Sequence, residues 1–259
     1  MCIWQESANL YPRKEAFMWI PNIHQVHQLH QRYFQSFSML SYVFPLSMIT
    51  ECLEAHKIKS RRCIYDPMVT LLMWIGQLIS SHRSCTGALS RLYAYIGQMA
   101  IVPDSPDTGA YCKARKRLCS EVLNTLYQDV ATNLEDRALL SSPFEKRRVL
   151  LVDGTSVSAP DTPGNQAVYP QHANQAEGCG FPMIKLTALF SLSTGAVHSA
   201  ASGDLQTSEI ALFRDQVHHI KPKDLIVADR HYGSYADLYI VRAIGAYALC
   251  RLHQARQFY

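Results

Sequence analysis

The sequence lacks several patterns that mark common classes of protein. It has no Gly-x4-Gly-Lys phosphate loop and no Gly-x-Ser-x-Gly nucleophile turn, which argues against P-loop nucleotide hydrolysis and against serine hydrolases of that kind. None of its eight cysteines form a Cys-x2-Cys pair, so a structural zinc site is not expected. The longest apolar stretch, residues 68–79, is too short to span a bilayer.

The first residues also lack the basic start and apolar run of a signal peptide. We therefore expect a cytoplasmic protein with reduced thiols and no membrane partner. Hydrophobic residues make up 48% of the 259 residues and charged residues 18%, which is typical of one large globular domain or two small ones.

Positive charge is concentrated in the front of the chain. Residues 1–150 carry 17 Lys and Arg against 12 Asp and Glu, a net +5, whereas residues 151–259 carry 8 against 9, a net −1. This imbalance suits a DNA-binding part joined to a carboxylate-bearing part, although ordinary solvated surface would also explain it.

The pattern of apolar residues predicts two regions. Residues 1–140 are typical of helices, for example after Asp66-Pro67, where an N-cap precedes a proline at the first helical position. Residues 141–259 alternate strands with helices, which favours an α/β mixed sheet with helices on its faces. The strands are predicted at 149–152, 184–192, 196–200, 225–228 and 246–252, and the helices at 207–219 and 235–244.

Two aspartates follow apolar strands of this back region. Asp153 comes directly after Val-Leu-Leu-Val and Asp229 directly after Leu-Ile-Val-Ala. If those strands are parallel neighbours, the carboxylates converge where ligands bind open α/β sheets. Mg²⁺ prefers such carboxylates together with phosphate oxygens, and two metal ions support phosphodiester chemistry. The alternative is that each aspartate only caps the following turn.

Asp153-Gly-Thr-Ser also suggests two other enzyme classes, which the sequence argues against. A sugar-kinase or actin-like site needs a second Gly-rich phosphate turn, and a haloacid dehalogenase needs an acid at position 155, which is Thr. The 29 residues from Gly154 to Pro182 are predicted to form a long loop that either contacts substrate or is plain surface.

A basic cluster is predicted on a helix in the front region. Arg and Lys at this density can contact DNA phosphates, and an adjacent tyrosine could stack on a base. A solvated helix face is the alternative interpretation. The candidate DNA-binding residues are Tyr111, Lys113, Arg115, Lys116 and Arg117.

Three long blocks resemble the insertion-sequence-four family of DDE transposases. The first begins Val-Leu-Leu-Val-Asp153-Gly-Thr and continues to Gln171, followed by Gly178-Cys-Gly-Phe-Pro182 and the strand ending at Gly195. The second is Asp224-Leu-Ile-Val-Ala-Asp229-Arg-His-Tyr-Gly-Ser-Tyr235. Upstream, residues 105–118 are similar to the family's front segment, so that the resemblance covers roughly residues 60–252.

The resemblance implies a ribonuclease-H-like catalytic core at 141–259 and a helical front region at 1–140 that helps to bind the element's ends. It implies Mg²⁺- or Mn²⁺-dependent cleavage and transfer of double-stranded DNA, both terminal inverted repeats and target, by a homodimer in the bacterial nucleoid. Asp153 and Asp229 would be catalytic metal ligands.

The family's third ligand is a Glu in a Tyr-x2-Arg-x3-Glu-x6-Lys block. No Asp or Glu occurs in the 22 residues after Asp237, and Asp204 and Glu209 precede Asp229, so that chain order argues against either as the replacement. We therefore expect an incomplete core, truncated before the third carboxylate. The alternative function is a catalytically inactive, DNA-binding remnant that inhibits a full-length transposase.

Overall fold

The computed structural model describes residues 42–58, 63–98, 107–140, 144 and 147–251, together with Gln25, Gln28, Leu29 and Tyr33. The chain divides into two compact units, residues 1–124 and 125–259. The roles predicted for residues 1–140 and 141–259 stay predictions. No helix in the described ranges is both long and apolar enough to cross a membrane.

The described residues of the first unit form helices joined by turns, with no strand. The helix that begins at Pro67 starts as predicted, because the Asp66 carboxylate accepts a hydrogen bond from the Val69 amide at 2.9 Å and Pro67 occupies the first helical position. The helices are α1 (Leu46–Ala55), α2 (Pro67–Ile79), α3 (Cys85–Gln98) and α4 (Gly109–Arg115), and α5 (Ser120–Leu139) contains the boundary with the second unit.

The second unit is built on one mixed sheet. Its strands are β1 (Val149–Ser158), β2 (Met183–Ser191), β3 (Val197–Gly203), β4 (Leu225–Ala228) and β5 (Tyr247–Cys250). They lie in the order β3-β2-β1-β4-β5. β1 pairs antiparallel with β2 and β2 with β3, whereas β4 is parallel to β1 and β5 to β4. This is a ribonuclease-H-like arrangement, and it confirms the fold that the resemblance implied.

Beside the strands, the described part of the second unit contains three short helices and two 3-10 turns, at Val217–His219 and Arg230–Tyr232. The helices are α6 (Pro163–Val168), α7 (Glu209–Asp215) and α8 (Tyr235–Ala243). α7 begins at the Ser208 cap, one residue after the predicted start, and α8 ends one residue before the predicted end. Gly245 follows α8 with φ +87, a left-handed conformation that favours glycine after a helix end.

One face of the sheet is covered by α7 and α8. Leu150, Val152 and Ile226 from the strands pack with Phe213 of α7 and Val241 of α8 in a single apolar cluster. Each of these side chains is at most 4% exposed, and full burial of such a side chain stabilises the fold by about 1.5–3 kcal/mol. The packing therefore fixes β1 and β4, the two strands that precede Asp153 and Asp229.

Candidate metal site at the ends of two parallel strands

The parallel pairing of β1 and β4 brings the two predicted aspartates together. Val152 and Ala228 are the last partners in that ladder, and Asp153 and Asp229 follow them directly in the chain. Neighbouring strands lie about 4.8 Å apart, so the two residues stand side by side where the parallel ladder ends. Both are exposed.

The two aspartates occupy different backbone settings. β1 does not end at residue 152 as predicted, because it continues to Ser158 through antiparallel pairing with β2. Asp153 therefore lies within a strand, at the point where the parallel ladder stops. Asp229 leaves β4 and caps the following turn, since its Oδ1 accepts a hydrogen bond from the His231 amide at 2.8 Å.

Each carboxylate has one oxygen engaged by its own backbone. Asp153 Oδ1 accepts from the Gly154 amide at 2.9 Å, in the way that Asp229 Oδ1 accepts from His231. Among the described groups, none donates a hydrogen bond to Oδ2 of either residue. Two exposed carboxylates at neighbouring strands suit a hard divalent cation, which offsets the repulsion between two close negative charges.

The described residues contain no group of three or more His, Cys, Asp and Glu side chains that could hold a metal ion. The pair nevertheless fits Mg²⁺, because this ion binds through one or two carboxylates and completes its octahedron with water and substrate phosphates.

Two residues below the aspartates were not assigned to the site from the sequence. The Glu209 side chain reaches Gly154, where an added Cβ would lie 2.5 Å from Glu209 Cδ. The Tyr232 hydroxyl donates to Glu209 Oε2 at 3.4 Å. Burial, followed by the charge of Glu209, raises the pKa of Tyr232 well above its ordinary value, so the hydroxyl stays a donor. Chain order argued against Glu209 as the third ligand, and no sequence signal indicated this contact.

The segment predicted as one long loop is partly structured. Residues up to Ser158 belong to β1, and α6 follows at Pro163–Val168, capped by the Thr162 hydroxyl. Farther along, the Gln171 side chain accepts from the Gly180 amide and donates to the Gln175 and Ala176 carbonyls. The segment is therefore ordered as an extension of β1, a short helix and a loop held by its own hydrogen bonds.

The structure corrects one of the predicted DNA-binding residues. Tyr111 is 0% exposed, and its hydroxyl donates to Gln77 Oε1 at 2.8 Å. Burial, more than any other cause, raises its pKa to about 12. A side chain held in this way has no free face for a base, so the predicted stacking contact is wrong for this fold.

The four basic residues near Tyr111 separate into two groups. The Arg115 guanidinium lies 5.1 Å from the centroid of the Trp74 ring and donates to Gln77 Oε1 at 3.4 Å. Its side chain is therefore engaged in packing within the first unit. Lys113, Lys116 and Arg117 are exposed. The helix ends at Arg115, which places the last two on the turn that follows it.

The chain is similar in sequence to known transposases. The family described as transposase DDE domain matches residues 144–259. The transposase InsG for insertion sequence element IS4, from Escherichia coli (strain K12), is 25% identical over 201 residues, which are 76% of this chain and 44% of that protein. The chain thus spans less than half the length of this curated relative.

A solved structure, the Mos1 transposase paired-end complex with left transposon end, aligns with 91% of this chain and 79% of that chain. The identity is 12% and the TM-score 0.27, a likeness too weak to add to the topology described above.

Proposed function

Because residues 144–259 match the transposase DDE domain family and the chain is similar to the transposase of IS4, we propose that it takes part in metal-dependent cleavage and strand transfer of insertion-sequence DNA. The observation that supports this proposal most is the parallel register of β1 and β4, which brings Asp153 and Asp229 to the same end of the β1–β4 ladder. In this proposal the two carboxylates would hold Mg²⁺ or Mn²⁺, which would supply Lewis-acid polarisation of a phosphate oxygen and activation of an attacking hydroxyl.

The chain's own part in that chemistry is to place two negative charges beside each other. Gly154 and His231 each donate a backbone N–H to Oδ1 of an aspartate, so that Oδ2 of each carboxylate accepts no hydrogen bond from a described group and can bind the cation. The site is open, so a DNA phosphate can approach the cation from solvent. β1 and β4 are rigid supports because their inner faces are packed against α7 and α8.

Metal binding and cleavage provide the test. Asp153→Asn and Asp229→Asn should each weaken Mn²⁺ binding and abolish nicking of a duplex that carries the element's terminal repeats. Asp215→Asn, which removes an exposed acid at the end of α7, is the matched control and should change neither. Mn²⁺ binding that survives in both site variants would refute the assignment.

We propose further that Lys113, Lys116 and Arg117 bind DNA phosphates, and that a homodimer assembles on paired element ends. All three side chains are exposed and lie close together in sequence around the end of α4. Neutralising them should reduce the slope of log affinity against log salt by about 0.9 for each phosphate that the protein no longer neutralises. Arg83→Ala together with Lys221→Ala removes two exposed cations elsewhere and is the control. An unchanged slope in the triple variant would exclude this surface.

A second function is favoured by the absence of a convergent three-ligand group from the described residues. The chain would then bind element ends without cutting them and would compete with, or form mixed dimers with, an active transposase. Binding of end DNA without nicking in either Mg²⁺ or Mn²⁺ would support this function, whereas nicking that is abolished in Asp153→Asn would refute it.

A further inference from the structure

The Glu209 side chain contacts both of the segments that carry the candidate metal ligands. Gly154 immediately follows Asp153, and Tyr232 lies three residues after Asp229. Glu209, in the first turn of α7, contacts both segments. Its Oε2 would lie 2.6 Å from a Cβ built on Gly154 and accepts the Tyr232 hydroxyl hydrogen bond at 3.4 Å. One carboxylate therefore joins the backbone behind the first aspartate to the turn behind the second.

Glu209 and Asp153 lie on opposite sides of β1. Side chains alternate along a strand, so Asp153 points to the face opposite Val152, while position 154 belongs to the face of Leu150 and Val152. That second face is the one packed against α7 and α8. The Glu209 carboxylate lies there, on the inner side of β1, and this agrees with the absence of a three-ligand cluster among the described residues.

The Tyr232 ring is held firmly on its other sides. It is 3% exposed, belongs to the core cluster and meets the Phe213 ring edge-on at 5.6 Å between centroids. Asp229 caps the turn that contains Tyr232. Because the ring is fixed in the core, the hydrogen bond from its hydroxyl to Glu209 couples the position of this turn to α7 and, through Gly154, to β1.

We propose that Glu209 and Tyr232 form a clamp that sets the spacing and orientation of Asp153 and Asp229. Both are positioning residues, and the inference rests on the proposed function only in that the two aspartates hold the metal. Glu209 acts as the hydrogen-bond acceptor of the clamp. Its negative charge is not required, because the clamp needs only an oxygen at that point.

The affinity of the whole chain for Mn²⁺, followed by the electron paramagnetic resonance signal of the free ion, tests the clamp without DNA. Tyr232→Phe removes only the hydroxyl oxygen, and Glu209→Ala removes the acceptor. Each should weaken Mn²⁺ binding about 10-fold, the lower end of the usual effect of residues that orient metal ligands. Glu209→Gln keeps an amide oxygen that accepts the hydrogen bond and should stay within about 2-fold of wild type.

The pair should also behave as one unit. The variant that combines Tyr232→Phe with Glu209→Ala should bind Mn²⁺ no more weakly than the worse single variant, since both changes break the same link. Tyr239→Phe, which removes the hydroxyl of an exposed tyrosine on α8, is the control and should have no effect. If Glu209→Ala fails to fold, Tyr232→Phe and Glu209→Gln still decide the question.

The outcomes separate this inference from the proposed function. If Asp153→Asn lowers the affinity but Tyr232→Phe does not, the clamp is refuted and the metal site stands. If Glu209→Gln is as damaging as Glu209→Ala, the charge matters and Glu209 is not merely a positioning residue, which also overturns the proposal. If Asp153→Asn and Asp229→Asn leave the affinity unchanged, the metal site itself fails.

Discussion

Replacing Gly154 with alanine should displace the Glu209 side chain. The added Cβ would lie 2.5 Å from Cδ, 2.6 Å from Oε2 and 3.0 Å from Cγ of Glu209. Favourable carbon contacts begin at about 3.5 Å, so the carboxylate has to move. Overpacking of this kind costs about 1–3 kcal/mol. Because the atoms in the way are the end of one side chain, we expect the free energy of unfolding to fall by about 1–2 kcal/mol, the lower part of that range.

The cause of that decrease can be isolated, because the three heavy atoms nearest to the new methyl group all belong to Glu209. In a Glu209→Ala background those atoms are gone, and Gly154→Ala should then cost less than about 0.5 kcal/mol, a size typical of changes that meet no strain. The four proteins of this double-mutant cycle should therefore show a coupling energy of about 0.5–2 kcal/mol.

The assay has to report on the unit that contains Gly154. All three tryptophans, Trp4, Trp19 and Trp74, lie in the first unit, so tryptophan fluorescence does not follow unfolding of residues 125–259. Hydrogen–deuterium exchange of peptides from residues 183–251, measured by mass spectrometry, does. Equal decreases for Gly154→Ala in the presence and absence of the Glu209 side chain would refute the argument.

Three further predictions concern stability. Arg148 donates to both carboxylate oxygens of Asp224, at 3.1 and 2.5 Å, and the two side chains are only 10% and 6% exposed. Asp224→Asn should therefore lower the free energy of unfolding by about 3–5 kcal/mol in the same exchange assay. A decrease below about 1 kcal/mol, the usual size for an exposed pair, would contradict this. Asp66→Ala removes the cap of α2 and should lower the free energy of unfolding of the first unit, followed by Trp74, by about 0.5–2 kcal/mol, whereas Asp66→Asn should lower it less. Burial is the main cause that lowers the pKa of His198, against the opposing effect of its Glu135 partner. A group with a depressed folded pKa stabilises the fold above its unfolded pKa of about 6.5. The free energy of unfolding should therefore fall as the pH drops from about 7 to about 5, and it should fall less steeply in His198→Gln.

Local signals predicted most of the second unit. The run Leu-Ile-Val-Ala at 225–228 has the observed bounds of β4, and the cap and proline at Asp66-Pro67 predicted the start of α2 in the first unit as well. These elements depend on residues that are adjacent in the chain, such as a capping carboxylate or a short apolar run. The alternation of strands and helices predicted only a mixed sheet, and the resemblance implied a ribonuclease-H-like core; the strand order itself was not predicted.

The errors occurred where a partner distant in sequence decides the structure. β1 was predicted to stop at 152, because Gly, Thr and Ser follow Asp153, yet pairing with β2 extends it to Ser158. Tyr111 was taken for a DNA contact because basic residues flank it, but Gln77 of another helix binds its hydroxyl inside the first unit. Nothing in the sequence distinguishes Arg115, which is held over Trp74, from its exposed basic neighbours.

The dipeptide Asp153-Gly154 shows why the site's supporting residues were missed. An Asp-Gly pair is typical of a tight turn, but Gly154 is extended within β1 and pairs with Thr187 of β2. Here glycine is needed because a carboxylate from α7 approaches its backbone, not because the chain turns. Glu209, in the first turn of α7, is equally well explained by the helix dipole alone. Each residue has a sufficient local explanation, so only the packing of α7 on β1 shows that the glycine makes room for the glutamate, and a side chain larger than glycine at position 154 requires a shorter one at 209.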